Sequence, residues 1–234
     1  MAAPPTQISR PQPRAHAVGV AGPYATDVAY TDRDTKAVYI ARKYAPILTG
    51  RVLDVGCDAA RLRGLVARPD AYVGVDMRED ADVVLNLDRQ DLPFADASFD
   101  TVVCTDVLEH LERCHAVFDE LCRVSRGRVV ASLPNPVGNL VQNLFEGRCG
   151  RIKYYGLPVD PPADRHRWFF GFEDAERFFT ERGGRVGFEI EQLDVESMTG
   201  PYWLVGRETP RDVLDHANVK AGTIWCVLKR RGDA

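Results

Sequence analysis

Three groups of residues in this sequence combine types and spacings that could do chemistry. The first is Asp54-Val55-Gly56-Cys57-Asp58, where a short apolar run from Val52 to Val55 carries one acid and meets a glycine. A second apolar run, Tyr72 to Val75, ends in Asp76, 22 residues after Asp54. Gly56 permits a tight turn and close approach of a ligand, because it has no Cβ to clash. An acid at the tip of the next strand is placed to accept hydrogen bonds from ribose hydroxyls. The second group is Asp106, Glu109 and His110, whose i, i+3, i+4 spacing lets all three share one helix face. The third is His166, within Asp164-Arg165-His166-Arg167-Trp168-Phe169-Phe170. An imidazole titrates near neutral pH, so His166 and His110 are the candidate general bases. For His166 the alternative is a surface histidine beside two arginines.

The elements that must position these groups follow from the hydrophobic pattern. Residues 51–55, 71–75, 82–87, 99–104 and 128–133 read as strands, separated by helical patterns over about 58–67 and from Val107 to Val124. Asp58 is a candidate N-cap for the first of these helices, and Gly127 a stop for the second. An earlier helix spans Asp34 to Leu48 and either packs on the sheet edge or covers the ligand cleft. Only Met77 to Ala81 separates the second and third strands, too few for a full crossover helix. Strands alternating with helices imply a mainly parallel sheet covered on both faces. Further on, 137–147 and Phe172 to Arg182 read as helices, the latter closed by Gly183-Gly184. Val186 to Leu193 and Thr223 to Lys229 are late strands, and Pro210 to His216 is a short helix.

Composition sets bounds. The chain has 234 residues, 45% hydrophobic and 27% charged, the profile of an ordinary soluble globular protein. A net charge of −4 argues against a general nucleic-acid binder. The six cysteines form no C-x-x-C pair and no zinc spacing, which suits a reducing compartment. No apolar run approaches the ~18 residues of a membrane span, and the N-terminus lacks the apolar stretch of a signal peptide. A cytoplasmic protein is expected. Residues 1–23, with five prolines, read as a disordered leader, and 24–234 as one domain with a cap at about 137–182.

Taken together, Val52-Leu53-Asp54-Val55-Gly56-Cys57, Val73-Gly74-Val75-Asp76, Asp91-Leu92-Pro93-Phe94, Ser98-Phe99-Asp100 and Val107-Leu108-Glu109-His110-Leu111 resemble the class I S-adenosylmethionine-dependent methyltransferases, in their small-molecule type 11 branch. The resemblance implies a Rossmann-like, doubly wound α/β fold: a seven-stranded sheet, mostly parallel, whose last strand is antiparallel. It implies S-adenosylmethionine as cofactor. By matching position it assigns Asp54, Gly56 and Asp58 to the loop around the methionine part, with Asp54 reaching the ammonium through water. Asp76 and Met77 fall at the ribose, Asp88 at the adenine amine, and Arg89 offers its backbone N–H to the ring. Cys104 and Thr105 form the strand tip beside the methionine group.

The family usually has glycines where this chain has Asp58 and Ala60. Asp58 is sterically possible in the left-handed region and adds a charge near the cofactor.

The acceptor side is less defined. Asp106, Glu109 and His110 resemble the metal triad of ubiquinone-pathway and small-RNA O-methyltransferases, where a later histidine completes the site, here His166. Leu-Glu-His is common in relatives that bind no metal, so no metal is expected. The cationic-aromatic region of Arg148, Arg151, Lys153, Tyr154, Tyr155, Arg165, Arg167 and Trp168 suggests an acceptor bearing phosphate or carboxylate, the alternative being an ordinary solvated surface with aromatic stems packed below. The expected function is methyl transfer to a small molecule, at oxygen, with a silent methyltransferase-fold binding protein or a metal-dependent O-methyltransferase as alternatives. Neither nucleic acid nor membrane is an expected partner. A nicotinamide dehydrogenase should carry G-x-G-x-x-G, which Gly56-Cys57-Asp58-Ala59-Ala60-Arg61 does not.

Overall fold

Buried residues alternate strictly along the strands. Leu53 and Val55, Val102 and Cys104, Val129 and Ala131, and Ile224 and Cys226 face one side, while Val52, Val103, Val130 and Trp225 face the other. That period of two is the signature of a sheet buried on both faces. The computed structural model of the chain describes residues 23–145, 154–162, 164–197, 203–204, 207–208, 218 and 221–232. Among them are the strands β1 (Val52–Val55), β2 (Tyr72–Asp76), β3 (Val83–Val84), β4 (Phe99–Thr105), β5 (Ser125–Pro134), β6 (Phe188–Ser197) and β7 (Ala221–Arg230). They form one seven-stranded sheet in the order β3-β2-β1-β4-β5-β7-β6. The first five pair in parallel; β7 runs antiparallel to both β5 and β6. This is the doubly wound, Rossmann-like arrangement expected from the sequence. Two short strands, Trp203–Leu204 and Arg207–Glu208, pair separately.

One face carries α2 (Cys114–Val124) and α4 (Phe172–Arg185), whose Phe118, Leu121, Phe172 and Phe179 complete the larger core. The other face carries α1 (Arg33–Lys43). Its N-cap Asp32 accepts from the Thr35 N–H at 2.8 Å, and Thr35 answers in a reciprocal cap. Ile40 and Tyr44 pack beneath α1 with Trp225. Arg33, Lys36 and Ala37 turn towards the cleft at the strand ends, so this helix covers the cleft rather than the sheet edge.

Several expectations are corrected. The helix expected over about 58–67 is a series of turns ending in one 3-10 turn at Arg63–Leu65. Asp58 (φ 47°) and Ala60 (φ 51°) are both left-handed, which a right-handed helix cannot contain, so Asp58 caps no helix. The helical pattern from Val107 splits into a 3-10 turn, Leu108–His110, and α2, starting at Cys114. Gly127 lies inside β5, where a Cβ would meet the Asp100 carbonyl oxygen at 2.8 Å. It therefore allows close strand packing and stops no helix. Gly183 and Gly184 fall within α4, which runs to Arg185 before the left-handed Gly187 (φ 81°). α3 (Pro136–Phe145) matches its expected position. The leader up to residue 22, the helix at 210–216, and Arg148, Arg151 and Lys153 lie outside the described residues.

Candidate active site

At the carboxyl ends of β1, β2 and β4 a cleft of about 1030 Å³ opens. Asp54, Asp76 and Asp88 all line it, together with Gly56, Asp58, Met77 and Thr105. The three acids that spacing and resemblance single out therefore converge on one cavity.

Each is held by local structure. Asp54, at the tip of β1, is buried and accepts from the Tyr72 hydroxyl at 2.6 Å. Burial pushes its carboxyl up to about 6, against the lowering effect of that hydrogen bond and with a smaller push from Asp76. Asp76 accepts from the Asp58 N–H at 2.9 Å on one oxygen and from the Arg78 N–H at 3.1 Å on the other. Those bonds fix its plane while each oxygen keeps a second lone pair. Asp88 accepts from the Arg113 N–H at 3.2 Å. Gly56 makes the turn at φ 76°, and a Cβ there would lie 2.3 Å from Val107 Cγ2, so the loop tolerates no side chain.

Asp58 adds less charge to the cleft than the sequence suggests. Its carboxylate is ringed by Arg33 (2.9 Å), Arg61 (2.5 Å) and Arg78 (3.6 Å). Burial alone would raise its pKa, but the hydrogen bonds from Arg33 and Arg61 prevail and hold it below the usual range. Two assignments are corrected. The Arg89 N–H is already donated to the Asn86 carbonyl at 3.0 Å, and Arg89 does not line the cleft. Cys104 is fully enclosed in the core, leaving Thr105 as the residue of that strand tip that reaches the cavity.

The opposite wall comes from the turn after β4 and the segment before α4. Asp106 does not join Glu109 and His110. Its backbone is left-handed (φ 55°), and its carboxylate accepts from Ser132 Oγ at 2.6 Å and pairs with Lys36. His166 takes its place: one ligand atom each of Glu109, His110 and His166 lie within 4.8 Å of one another. The two imidazoles meet edge to face, with centroids 4.6 Å apart, and Tyr154 stacks on His166 at 4.3 Å. His166 is buried, which rules out the surface-histidine alternative. The Tyr155 hydroxyl donates to the Trp168 carbonyl at 2.7 Å, so its contact with His166 Nδ1 at 3.1 Å has the imidazole N–H as donor. His166 Nδ1 therefore carries a proton. His110 Nδ1 lies 2.7 Å from Asp164 Oδ1, close enough for an ion pair though off the N–H axis. The Arg167 N–H donates to the Glu109 carbonyl at 2.7 Å and pins the two segments together.

Residues 53–131, β1 through the middle of β5, match the type 11 family described as "methyltransferase domain". Over that third of its length the chain is similar to a methyltransferase domain. Such domains take the methyl group from S-adenosylmethionine, and the cleft offers the features that a molecule of that kind calls for: carboxylates at the strand tips and a turn with no Cβ. The methyltransferase fold is also found in solved structures. A SAM-dependent methyltransferase from Archaeoglobus fulgidus superposes with a TM-score of 0.56 at 17% identity, over 86% of this chain and 95% of that one. Magnesium protoporphyrin IX methyltransferase (ChlM) from Synechocystis, with bound SAH, gives 0.50 at 16%, over 84% and 82%. The [4+2]-cyclase SpnF gives 0.52 at 16%, over 91% and 87%, so the fold by itself does not fix the reaction. No curated protein matches the chain in sequence. Among the described residues no helix is long and apolar enough to cross a membrane.

Proposed function

We propose that this methyltransferase transfers a methyl group from S-adenosylmethionine to an oxygen of a small, anionic acceptor in the cytoplasm. One observation carries the reading: the carboxylate rim and the His110–His166 wall face the same cleft. S-adenosylmethionine supplies a sulfonium methyl that is already activated, so alignment accounts for much of the rate. Asp76 accepts the ribose hydroxyls, Asp88 the adenine amine, and Asp54 the methionine ammonium through water. Residues 137–182 act as the acceptor cap, of which α3, Tyr154, Tyr155 and the 164–167 segment line the cavity. Arg165 and Arg167 on that wall suit a phosphate or carboxylate on the acceptor. His166 or His110 takes the proton from the acceptor hydroxyl as the methyl is transferred. The small-molecule acceptor named for the Synechocystis neighbour is of the same broad kind. Nucleic acid is disfavoured by the net charge.

Calorimetric titration with S-adenosylmethionine and, separately, NAD tests the reading. Binding of the former alone is expected, weakened on the order of 100-fold in Asp76→Ala through loss of hydrogen bonds to a charged acceptor. Binding of neither ligand would leave a silent scaffold.

A further inference from the structure

The first turn of α1 is fastened differently from the rest of the helix. From Ala37 onward the helix is anchored by packing. Ala37, Ile40 and Tyr44 are buried, and Lys43, also buried, pairs with the enclosed Asp194 at 2.7 Å. Arg33 and Asp34, by contrast, are exposed. Charge ties this end down. Arg33 reaches Asp58 at 2.9 Å, Asp34 accepts from Arg61, and Lys36 pairs with Asp106. The turns after β1 and β4 are thereby clipped to one helix end, and Arg33, Lys36, Asp58, Arg61 and Asp106 all line the cleft.

Asp58 is the hub of these clips. Two of the three run through it: Arg33 directly, and Arg61, which it holds at 2.5 Å while Arg61 reaches Asp34. Its backbone N–H donates to Asp76, the acid at the tip of β2, so the same residue joins α1 to the cofactor rim. It sits at φ 47°, a conformation that glycine adopts without the steric cost any side chain brings. Strain of this kind persists where the side chain has something to hold. The neighbouring arginines do not need the carboxylate to stay paired: without it Arg61 keeps Asp34, and Arg78 keeps Asp80 at 2.8 Å. Arg33 on α1 would lose its hold. One exposed ion pair contributes little by itself. Several at one end of a helix that is packed at the other act together, and they can open without exposing core.

We propose that Asp58 is the positioning residue of an ionic clasp: through Arg33 and Arg61 it holds the first turn of α1 down over bound S-adenosylmethionine and sets the rate at which the cofactor leaves. This rests on the reading of the cleft as the cofactor site. Asp58 acts on the ligand through α1 rather than by touching it.

The test is the release of tritiated S-adenosylmethionine from the intact chain, chased with excess unlabelled ligand and followed by rapid filtration. It is run at about 0.01 M and about 1 M NaCl, between which the screening length falls from about 30 Å to about 3 Å. Release from the wild type is expected to be on the order of tenfold faster at the higher salt, as two exposed pairs acting together allow. Asp58→Asn keeps the size and tolerates the left-handed backbone; it should release about tenfold faster at low salt and lose most of the salt dependence. Arg33→Gln should act in the same direction, and the double variant should be no faster than Asp58→Asn alone. Asp58→Gly should match Asp58→Asn in release without lowering the melting temperature, because it exchanges the ion pairs for relief of the strain. A general loss of folding would not give that pairing. If Asp58→Asn keeps the wild-type rate and salt dependence, the clasp is refuted and the cofactor site stands. If Asp58→Asn is faster but Arg33→Gln is not, Asp58 touches the ligand itself and the clasp is again refuted. A wild type that binds no S-adenosylmethionine would overturn the cofactor site and the clasp with it.

Discussion

Two buried carboxylates face each other in kind across the cleft and differ in how they are satisfied. Asp54, on the cofactor side, is capped by the Tyr72 hydroxyl, and its pKa rises only to about 6. Glu109, on the acceptor side, keeps one oxygen without a partner, and its pKa is driven well above the ordinary value by burial and by Asp106. The protein completes the first site from its own side chains. The second it leaves one contact short.

The largest effect is expected where the two walls touch. Gly56 is left-handed and its missing Cβ abuts Val107, the residue that leads into the Glu109 turn. Gly56→Ala should cost roughly 4 kcal/mol, adding backbone strain to overpacking, and should weaken ligand binding at both walls. Urea unfolding measures the first and calorimetry the second.

Asp54 sharpens the comparison through pH. Its folded pKa lies above the unfolded value of 3.8, so the native state binds the extra proton between about pH 4 and 6. Below that window both states are protonated and the stability is fully present. It is lost as pH rises through about 6, by on the order of 3 kcal/mol. Denaturation at pH 4 and 7 should show this slope, flattened in Asp54→Asn.

The same kind of truncation should then give opposite signs at the two sites. Asp54→Ala leaves the Tyr72 hydroxyl buried and unpaired and should cost about 2 kcal/mol, whereas Glu109→Leu removes an orphaned oxygen and should gain about 1 kcal/mol. Two losses of similar size would break the comparison. The smallest change is Ala60→Gly, which relieves a left-handed alanine (φ 51°) at the expense of unfolded-chain entropy. A gain of about 0.5 kcal/mol is expected, readable as a small rise in Tm.

The contrast also marks what a sequence can reveal. β1, Gly56, β2 and Asp76 are legible because one stretch of chain carries the apolar runs, the turn and both acids. The late strands are legible as apolar runs and the antiparallel last strand through family resemblance, but the placement of β7 between β5 and β6 is written in neither. Left-handed Asp58 and Ala60 are invisible to periodicity, so the turns after β1 read as a helix. Left-handed Asp106 hides in the same way: it swings one member of the i, i+3, i+4 set away towards Lys36 and Ser132. His166 joins Glu109 and His110 only through tertiary packing across more than fifty residues, and spacing along the chain carries no record of that. The loss of Arg89 is subtler still, since its N–H is consumed by a local turn.

The position of β7 also bears on biosynthesis. Of the seven strands it emerges last from the ribosome, yet both β5 and β6 depend on it for pairing. Until it arrives, the nascent polypeptide exposes an apolar sheet edge along β5 and an orphan strand in β6, the features that invite self-association. Translational stalling or premature termination before Ala221 would therefore produce aggregating material rather than a truncated but soluble cofactor half.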